Sequence, residues 1–423
     1  FGQTKAYGPM APGLDFAFGF VDESYIDKAL ERGWLNTTDG QTSPAVWSKT
    51  DELNIEANFE LFKGFKIQLT FNRTNNQSKS VQFMYANMPT TLSGSYTKTH
   101  CALLTALKMS NAKDGYYSEA FDNMLNNIDI IRRRVEQQYV GTTYPDAGFI
   151  HGTTHAGQPF SPDVGTVSAT SSDVLIPAFI AAYTGMDPHK VYLNPFPSFA
   201  SVLPNWRITY DGLINLGNMR NIFKTFTLNH AYQCTYSVGA YSSYLNWVGA
   251  GSGTGSTLGF ILDDTGNSPR PIPSSPFNIS SVAITEKFAP LIGVSATMLN
   301  NLQFNAEWRD QRTLTLNTSA GQVVEAVSRA LTVGVGYKII AFNTVLKMKG
   351  SQQGVSNDLT INCDVNFQNN QALIRRIEER YTQATSGART LGINFTANYV
   401  LSKRLTIAAY FTHQMNTPVV TTS

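Results

Sequence analysis

His151 and His155 stand four residues apart in the run HGTTH, the spacing at which a helix offers two imidazoles to one metal ion. Gly152, Thr153 and Thr154 lie between them, where a metalloprotease would carry a glutamate, and the Gly- and Thr-rich surroundings argue against a helix. The pair reads as a polar loop. Gly249 to Gly255 mixes glycine with small residues in the manner of a phosphate cradle. It lacks the Lys-Ser/Thr end and the strand-to-helix setting of a P-loop, so it too reads as a loop. His230 has no serine or cysteine nucleophile that can be placed beside it. It reads as a histidine on the apolar side of a strand, between Leu228 and Tyr232 and near a membrane interface. Arg375, Arg376, Glu378, Glu379 and Arg380 form a mixed charge run that reads as a solvated turn or rim helix. Cys101, Cys234 and Cys363 are odd in number and far apart, which suits small apolar side chains better than a disulfide set. No nucleophile, base and oxyanion site emerges, so no catalytic residue, metal or cofactor is expected.

The elements that hold these residues are strands. Leu53, Ile55, Ala57, Phe59 and Leu61 alternate with Asn54, Glu56, Asn58 and Glu60; Phe65, Ile67, Leu69 and Phe71 alternate with Lys66, Gln68, Thr70 and Asn72. Period two marks a strand with one apolar and one wet face, and about nine to eleven such residues, tilted, cross a bilayer. Pairing Leu61 with Phe65 and Glu60 with Lys66 keeps the faces in phase and leaves a loop of Phe62, Lys63 and Gly64. The same device recurs at 299–301, between Ile292–Met298 and Leu302–Trp308, and at 402–404, between Leu391–Leu401 and Leu405–Phe411. Leu331 to Ile339, Leu359 to Gln368, Phe226 to Val238 and Leu14 to Phe20 alternate as well. The three turns are expected on one side of a membrane, with Leu53, Ile55, Phe59, Ile67, Leu69, Phe71, Trp308, Tyr337, Phe395 and Tyr399 facing lipid. Asn54, Glu56, Asn58, Glu60, Lys66, Gln68, Glu307, Arg309, Lys338 and Asp364 are then lumen-facing.

Composition agrees. The chain has 423 residues, 25 Phe and 19 Tyr, and only 15% charged residues, below the usual quarter. Few charges with many aromatics suit strands between lipid and water, flanked by aromatic girdles. A net charge of +2 points away from nucleic acid. The longest apolar stretch, Val174 to Tyr183, contains Pro177 and is too short for a membrane helix. There is no initiating Met, basic n-region or signal peptide, and the pattern opens and stops abruptly, as in an internal or processed fragment.

About twelve strands are expected: 13–21, 50–61, 65–74, 94–109, 205–211, 225–241, 288–299, 302–314, 329–341, part of 345–368, 389–401 and 404–416. Helices are expected over Ser24 to Leu30, Ser118 to Tyr139 (Phe121, Leu125, Ile128 and Val135 on one face, Arg132 to Arg134 near its end) and Ser172 to Thr184, closed by Gly185. Residues 141–171 and 242–276 read as loops. The division is 1–109, strands with a short helical loop; 110–204, a helical and loop insertion; 205–423, strands with long loops. The fold class is all-β: an antiparallel transmembrane β-barrel wall with helical insertions in its loops. Strand parity fails across the insertion. The strands at 94–109 and 205–211 come out running the same way, so a crossing is missing or a strand is wrong, and the side of the insertion stays open.

Longer motifs carry a resemblance. PNWRITYDGL at 204–213, LNHAYQCTYSVGAY at 228–241, ISSVAITEKFAPLIGVSATMLNNL at 279–302 and QALIRRIEERYTQATSGART at 371–390 resemble the C-terminal part of the SprA/Sov family, as FGQTKAYGPMAPGLDFAFGF at 1–20 resembles an internal stretch of it. That family is the outer-membrane translocon of the type IX secretion system in Bacteroidetes. The resemblance covers most of the chain and is weakest at 75–91 and 242–276, and the strand the family has beyond Ser423 is absent. It implies a conduit for folded proteins, with the strands here one arc of a very large single-chain barrel with a lateral opening. It also implies a PorV-type shuttle barrel, a periplasmic plug protein and secreted cargo as partners. Two other readings stay open at this point: a complete barrel of twelve to fourteen strands for small solutes, and a secreted β-sandwich adhesin, whose apolar faces would meet in a core.

Overall fold

The alternating segments pair into one antiparallel sheet of twelve strands, beside a separate sheet of three. The computed structural model describes residues 14–22, 24–35, 43–82, 90–108, 110–197, 204–250, 257–263, 270–343, 356–402 and 405–419. Its strands are β1 (Ala45–Phe62), β2 (Phe65–Val81), β3 (Thr90–Thr99), β4 (Asn205–Tyr210), β5 (Phe223–Ser243), β6 (Val248–Gly249), β7 (Gly259–Asp263) and β8 (Arg270–Ser274). They continue as β9 (Phe277–Ile279), β10 (Ser281–Met298), β11 (Leu302–Asn317), β12 (Gln322–Asn343), β13 (Ser356–Arg376), β14 (Tyr381–Ser402) and β15 (Leu405–Pro418). The order across the large sheet is β1-β2-β3-β5-β10-β11-β12-β13-β14-β15, with β4 also between β2 and β5, and β9 against β5. β6, β7 and β8 form the small sheet inside the stretch expected to be loop; such short strands among Gly, Ser and Pro carry no periodic signal. Among the described residues β1 and β15 do not pair with each other, so the sheet has two open edges.

The parity failure has a structural cause. β2 pairs its second half with β3 (Arg73 opposite Lys98) and its first half with β4 (Phe65 opposite Tyr210). β5 does the same from the other side, with Thr235 opposite Thr99 and Leu228 opposite Tyr210. β3 and β4 are thus two halves of one strand position, both antiparallel to β2, and residues 100–204 are inserted in the middle of it. They run the same way because they lie end to end. The expected strand over 94–109 stops at Thr99; Leu103–Ala106 is helical, a short, mostly apolar run of this kind being equally compatible with a helical turn.

The turns follow the spacing. Glu60 faces Lys66, and Phe62 rather than Leu61 faces Phe65, so Leu61 is absorbed as a bulge. Gly64 takes φ +82°. Asn301 occupies the corresponding place after Leu299 and Asn300, at φ +66°. The third turn closes with Ser402 opposite Leu405; Lys403 and Arg404 lie outside the described residues. The pairings put all three at one end of the sheet, here its lower end. Tight turns also occur at the upper end, after β11 and after β13, so turn length does not distinguish the ends. Replacing Gly64 with Ala is expected to cost about 1–2 kcal/mol from the left-handed conformation alone. The added Cβ would also meet the Gly212 amide nitrogen at 2.8 Å. Chemical unfolding of the variant checks this, and an unchanged midpoint would refute it.

Helices α1 (Leu14–Ala17), α2 (Tyr25–Glu31), α3 (Leu103–Ala106), α4 (Glu119–Tyr139) and α5 (Ser172–Thr184) complete the main elements. The strand expected over 13–21 is instead α1 and its following turn; alternation alone forms no strand without a ladder partner, and Phe16 stacks on Tyr25 of α2 at 5.6 Å. Ser118 caps α4 by accepting the Phe121 N–H at 3.3 Å. Its buried stripe runs through Phe121, Met124, Ile131 and Val135, with Leu125 and Ile128 at its flank rather than its centre. None of the three arginines lies in the last turn; Arg134 instead donates to the carbonyls of Pro188 and Val191 at 2.6 and 2.9 Å. α5 is buried from Val174 to Thr184, as an all-round apolar helix must be, and ends at Gly185 with φ +73°. α4, α5 and α3 share one core with β3, β5, β10, β11 and β12.

Candidate functional site

Register assigns every strand residue to a face. Ile55 opposes Phe71, Ile67 opposes Ile208, Tyr232 opposes Phe288, Val294 opposes Ala306, Trp308 opposes Leu331, Tyr337 opposes Ile361 and Phe395 opposes Phe411. One front face therefore collects the apolar sets of the sheet strands, including Leu53, Phe59, Leu69 and Tyr399. The back face collects Asn54, Glu56, Asn58, Glu60, Lys66, Gln68, Glu307, Arg309, Lys338 and Asp364.

The front face has two halves. In the lower half the apolar side chains are open, among them Trp308 (44% exposed), Leu331 (47%), Phe304, Val335, Tyr337, Val365 and Phe367. Phe71 and Tyr399 belong to this face but are buried within the chain, and the Tyr399 hydroxyl donates to the Phe342 carbonyl at 3.2 Å. Aromatics lie toward both ends of the band, Trp206, Trp308 and Phe367 above and Phe65, Tyr210, Phe226 and Tyr337 below, while Tyr232 and Tyr399 continue the two rows but are buried within the chain. His230 sits at the upper boundary, its Nδ1 2.7 Å from the Leu291 carbonyl, between the rings of Trp206 and Phe288.

In the upper half the insertion covers the same face. Here charged residues occupy apolar-phase positions, and three carboxylate–guanidinium pairs form among them. Glu286 and Arg312 are neighbours on β10 and β11, joined through Arg312 Nε at 3.0 Å and again through Nη2. Arg312 goes on to the Thr105 carbonyl of α3 at 2.8 Å, and Glu286 accepts the Tyr232 hydroxyl at 2.9 Å. That hydroxyl in turn accepts the Ala102 N–H at 3.1 Å. Arg329 holds Asp310 at 2.8 Å. Arg375, 0% exposed, grips Glu325 at 2.6 Å and donates to the Tyr116 carbonyl at 2.7 Å and Ser110 Oγ at 2.9 Å. Tyr96 and Lys98 both reach the Pro197 carbonyl, and Tyr236 reaches that of Pro195. The sheet thus grips the insertion by its backbone, through buried ions that neutralise one another. These residues escaped the sequence reading. The available signal was phase: Glu286 lies between Ile284 and Phe288, and Asp310 and Arg312 continue the even positions of Phe304 to Trp308. Arg375, expected in a solvated turn, is the most deeply buried of them; only Ile377 to Arg380 make the turn, and Glu379 pairs with Arg376 in the open at 3.2 Å.

The back face is a lattice of small polar contacts. Glu56 accepts from Asn58 and Gln68 at 2.7 and 2.8 Å, Thr332 donates to Asn366 at 3.1 Å, and Lys338 meets Asp358 at 2.8 Å. Arg309 pairs with Glu307 along its own strand. Gly334 and Gly336 leave space that Asn305, Asp364 and Asn362 fill with their side-chain oxygens.

The other sequence candidates fall apart in space. His151 pairs with Asp146 at 2.8 Å, and His155 packs against Tyr144, in a bend-rich segment of the insertion. The Gly152 N–H bond, above all, holds the Asp146 carboxyl below its ordinary value. Among the described residues no group of three or more His, Cys, Asp or Glu is placed to hold a metal ion. Gly249 belongs to β6, and residues 251–256 of the glycine run lie outside the described residues. The three cysteines are free thiols. Within the insertion, burial drives the Asp173 carboxyl above its ordinary range against the pull of the Ser275 N–H at 2.8 Å. Burial, with the Lys98 ammonium adding to it, holds His100 down to about 4, so its imidazole is neutral near pH 7.

No protein-family model matches the chain, and neither does any curated protein. Among the described residues no helix is long and apolar enough to cross a membrane, which says nothing of crossing by strands.

Proposed function

We propose that the chain is an arc of outer-membrane β-barrel wall, part of the protein-conducting channel of a type IX secretion system. The observation that carries the wall is the open apolar band on the front face, bounded by aromatics and backed by a polar lattice on strands of up to 22 residues. At about 3.3 Å per residue such strands run roughly 70 Å, more than twice the hydrocarbon core. The lower half would cross the bilayer, with the sequence's apolar set toward lipid and its polar set toward the lumen. The upper half and the gripped insertion would stand outside it. The edges at β1 and β15, which do not pair with each other among the described residues, favour an arc over a complete small barrel, because an edge in hydrocarbon must be paired or covered. The open band argues against a sandwich adhesin, where a second sheet would lie on it.

The secretion role rests on the family resemblance. In that reading the PorV-type shuttle barrel, the periplasmic plug protein and secreted cargo are partners, the location is the outer membrane of a Gram-negative bacterium, and the chain supplies walls and contact surfaces without catalysis. The test is membrane partition and sidedness. The protein is expected to need detergent for extraction, and cysteines placed at Lys63, Asn300 and Lys403 are expected to fall in one accessibility class toward an impermeant reagent on intact cells. Extraction without detergent, or labelling of one turn and not the others, would break the wall reading. An intact mass in detergent far above 46.5 kDa is expected for the large barrel.

A further inference from the structure

We propose that a ledge between the insertion and the sheet binds the phosphate-bearing headgroup of an anionic lipid, whose acyl chains lie down the apolar band. The inference rests on the reading of the front face as a membrane surface and adds a ligand to it. The ledge is a cavity of about 470 Å³ at the top of the band. Trp308, Leu331 and Phe367 form its lower wall, and Arg329, Asn369 and Arg389 rise above them on β12, β13 and β14.

Its roof is the segment from Ser110 to Tyr116, which the insertion projects over the sheet. That roof is held in a costly shape. Tyr116 is a non-glycine residue at φ +59°, fixed by the buried Arg375 that binds its carbonyl and Ser110.

The charges suit an anion. Arg329 donates Nε–H to Asp310, which cancels its charge locally, while no other hydrogen bond fixes its Nη groups among the described residues. Arg389 is exposed and has no ion-pair or hydrogen-bond partner among the described residues. The ledge therefore keeps one uncompensated guanidinium, beside the amide of Asn369, over an aromatic floor. A guanidinium fork matches two phosphate oxygens, and the aromatic rings match the glycerol and first methylenes. A free phosphate would satisfy the cation but leave Trp308, Leu331 and Phe367 bare, whereas a lipid covers both parts.

Native mass spectrometry of the detergent-purified protein, titrated separately with phosphatidylglycerol, phosphatidylcholine and inorganic phosphate, tests this. Wild type is expected to hold phosphatidylglycerol about tenfold more tightly than Arg389→Gln, with the zwitterionic lipid showing no such difference. Trp308→Ala is expected to weaken lipid retention as well. Because Arg389 is exposed and unpaired, its replacement leaves folding intact. Equal phosphatidylglycerol affinity in wild type and Arg389→Gln overturns the proposal, as does displacement of the lipid by equimolar inorganic phosphate. Protein that needs no detergent overturns the wall reading and this one together; protein that needs detergent but shows no Arg389 effect overturns the lipid site alone.

Discussion

Arg375→Met should destabilise the chain by about 3–5 kcal/mol, the range for removing one partner of a buried ion pair. Arg375 has no exposed surface, and its loss leaves the Glu325 carboxylate in the protein interior without its counter-ion. It also frees the Tyr116 carbonyl and Ser110 Oγ, so the insertion loses its anchor at β13. The expected signature has two parts: a lower unfolding midpoint, and faster protease cleavage within residues 141–171. The double variant Glu325→Leu/Arg375→Met should recover most of the stability, because two apolar groups of similar bulk carry no desolvation cost. It should not recover protease resistance, since the contacts to Tyr116 and Ser110 stay absent. A single variant as stable as wild type would show that the ion pair does not hold the insertion.

That pair was hard to read from sequence for a definite reason. Period two reveals which residues share a face, but not what covers the face. Leu53 to Phe71, Ile292 to Trp308 and Leu391 to Phe411 declared their hairpins and phases because every second residue is apolar, and in the first two Gly64 and Asn301 suit a left-handed position. α5 declared itself through an unbroken apolar run closed by Gly185. Where Glu286, Asp310, Arg312, Arg329 and Arg375 enter the apolar phase, the pattern looks merely weaker, and Arg375 with Arg376 looks like a solvated turn. Only the insertion lying overhead makes their burial intelligible.

Long-range order was equally hidden. β3 and β4 share a strand position although residues 100–204 separate them, and nothing local in either segment announces the other. Parity counting registered the anomaly without resolving it. Leu14 to Phe20 alternates as well as any strand here, yet it follows no neighbour and turns into helix at Leu14–Ala17. The open ends of the sheet are likewise a property of pairing rather than pattern. The phase of the candidate residues was therefore legible, while the partner of each face was not.

The largest effect expected in the lower half comes from placing a charge in the apolar band. Ile67 is a poor place for it: it lies two residues into β2, beside the lower turn, where an interfacial arginine costs little. Val333 is better, between Leu331 and Tyr337 along the strand and flanked on the front face by Ala306 and Val365. Val333→Arg is expected to cost about 2–4 kcal/mol on folding into lipid vesicles, against about 0–1 for Ile67→Arg. Thr332→Arg, one residue away on the back face beside Asn366, should cost far less than Val333→Arg, because its side chain stays in water. Urea titration of refolding into vesicles measures all three. A cost at Val333 above those at both Ile67 and Thr332 requires both a lipid-facing front and a depth gradient along it. Equal costs at Val333 and Thr332 would remove the membrane from the front face. Equal costs at Val333 and Ile67 would leave an apolar face without a bilayer centre, as expected if that face instead packs against another protein.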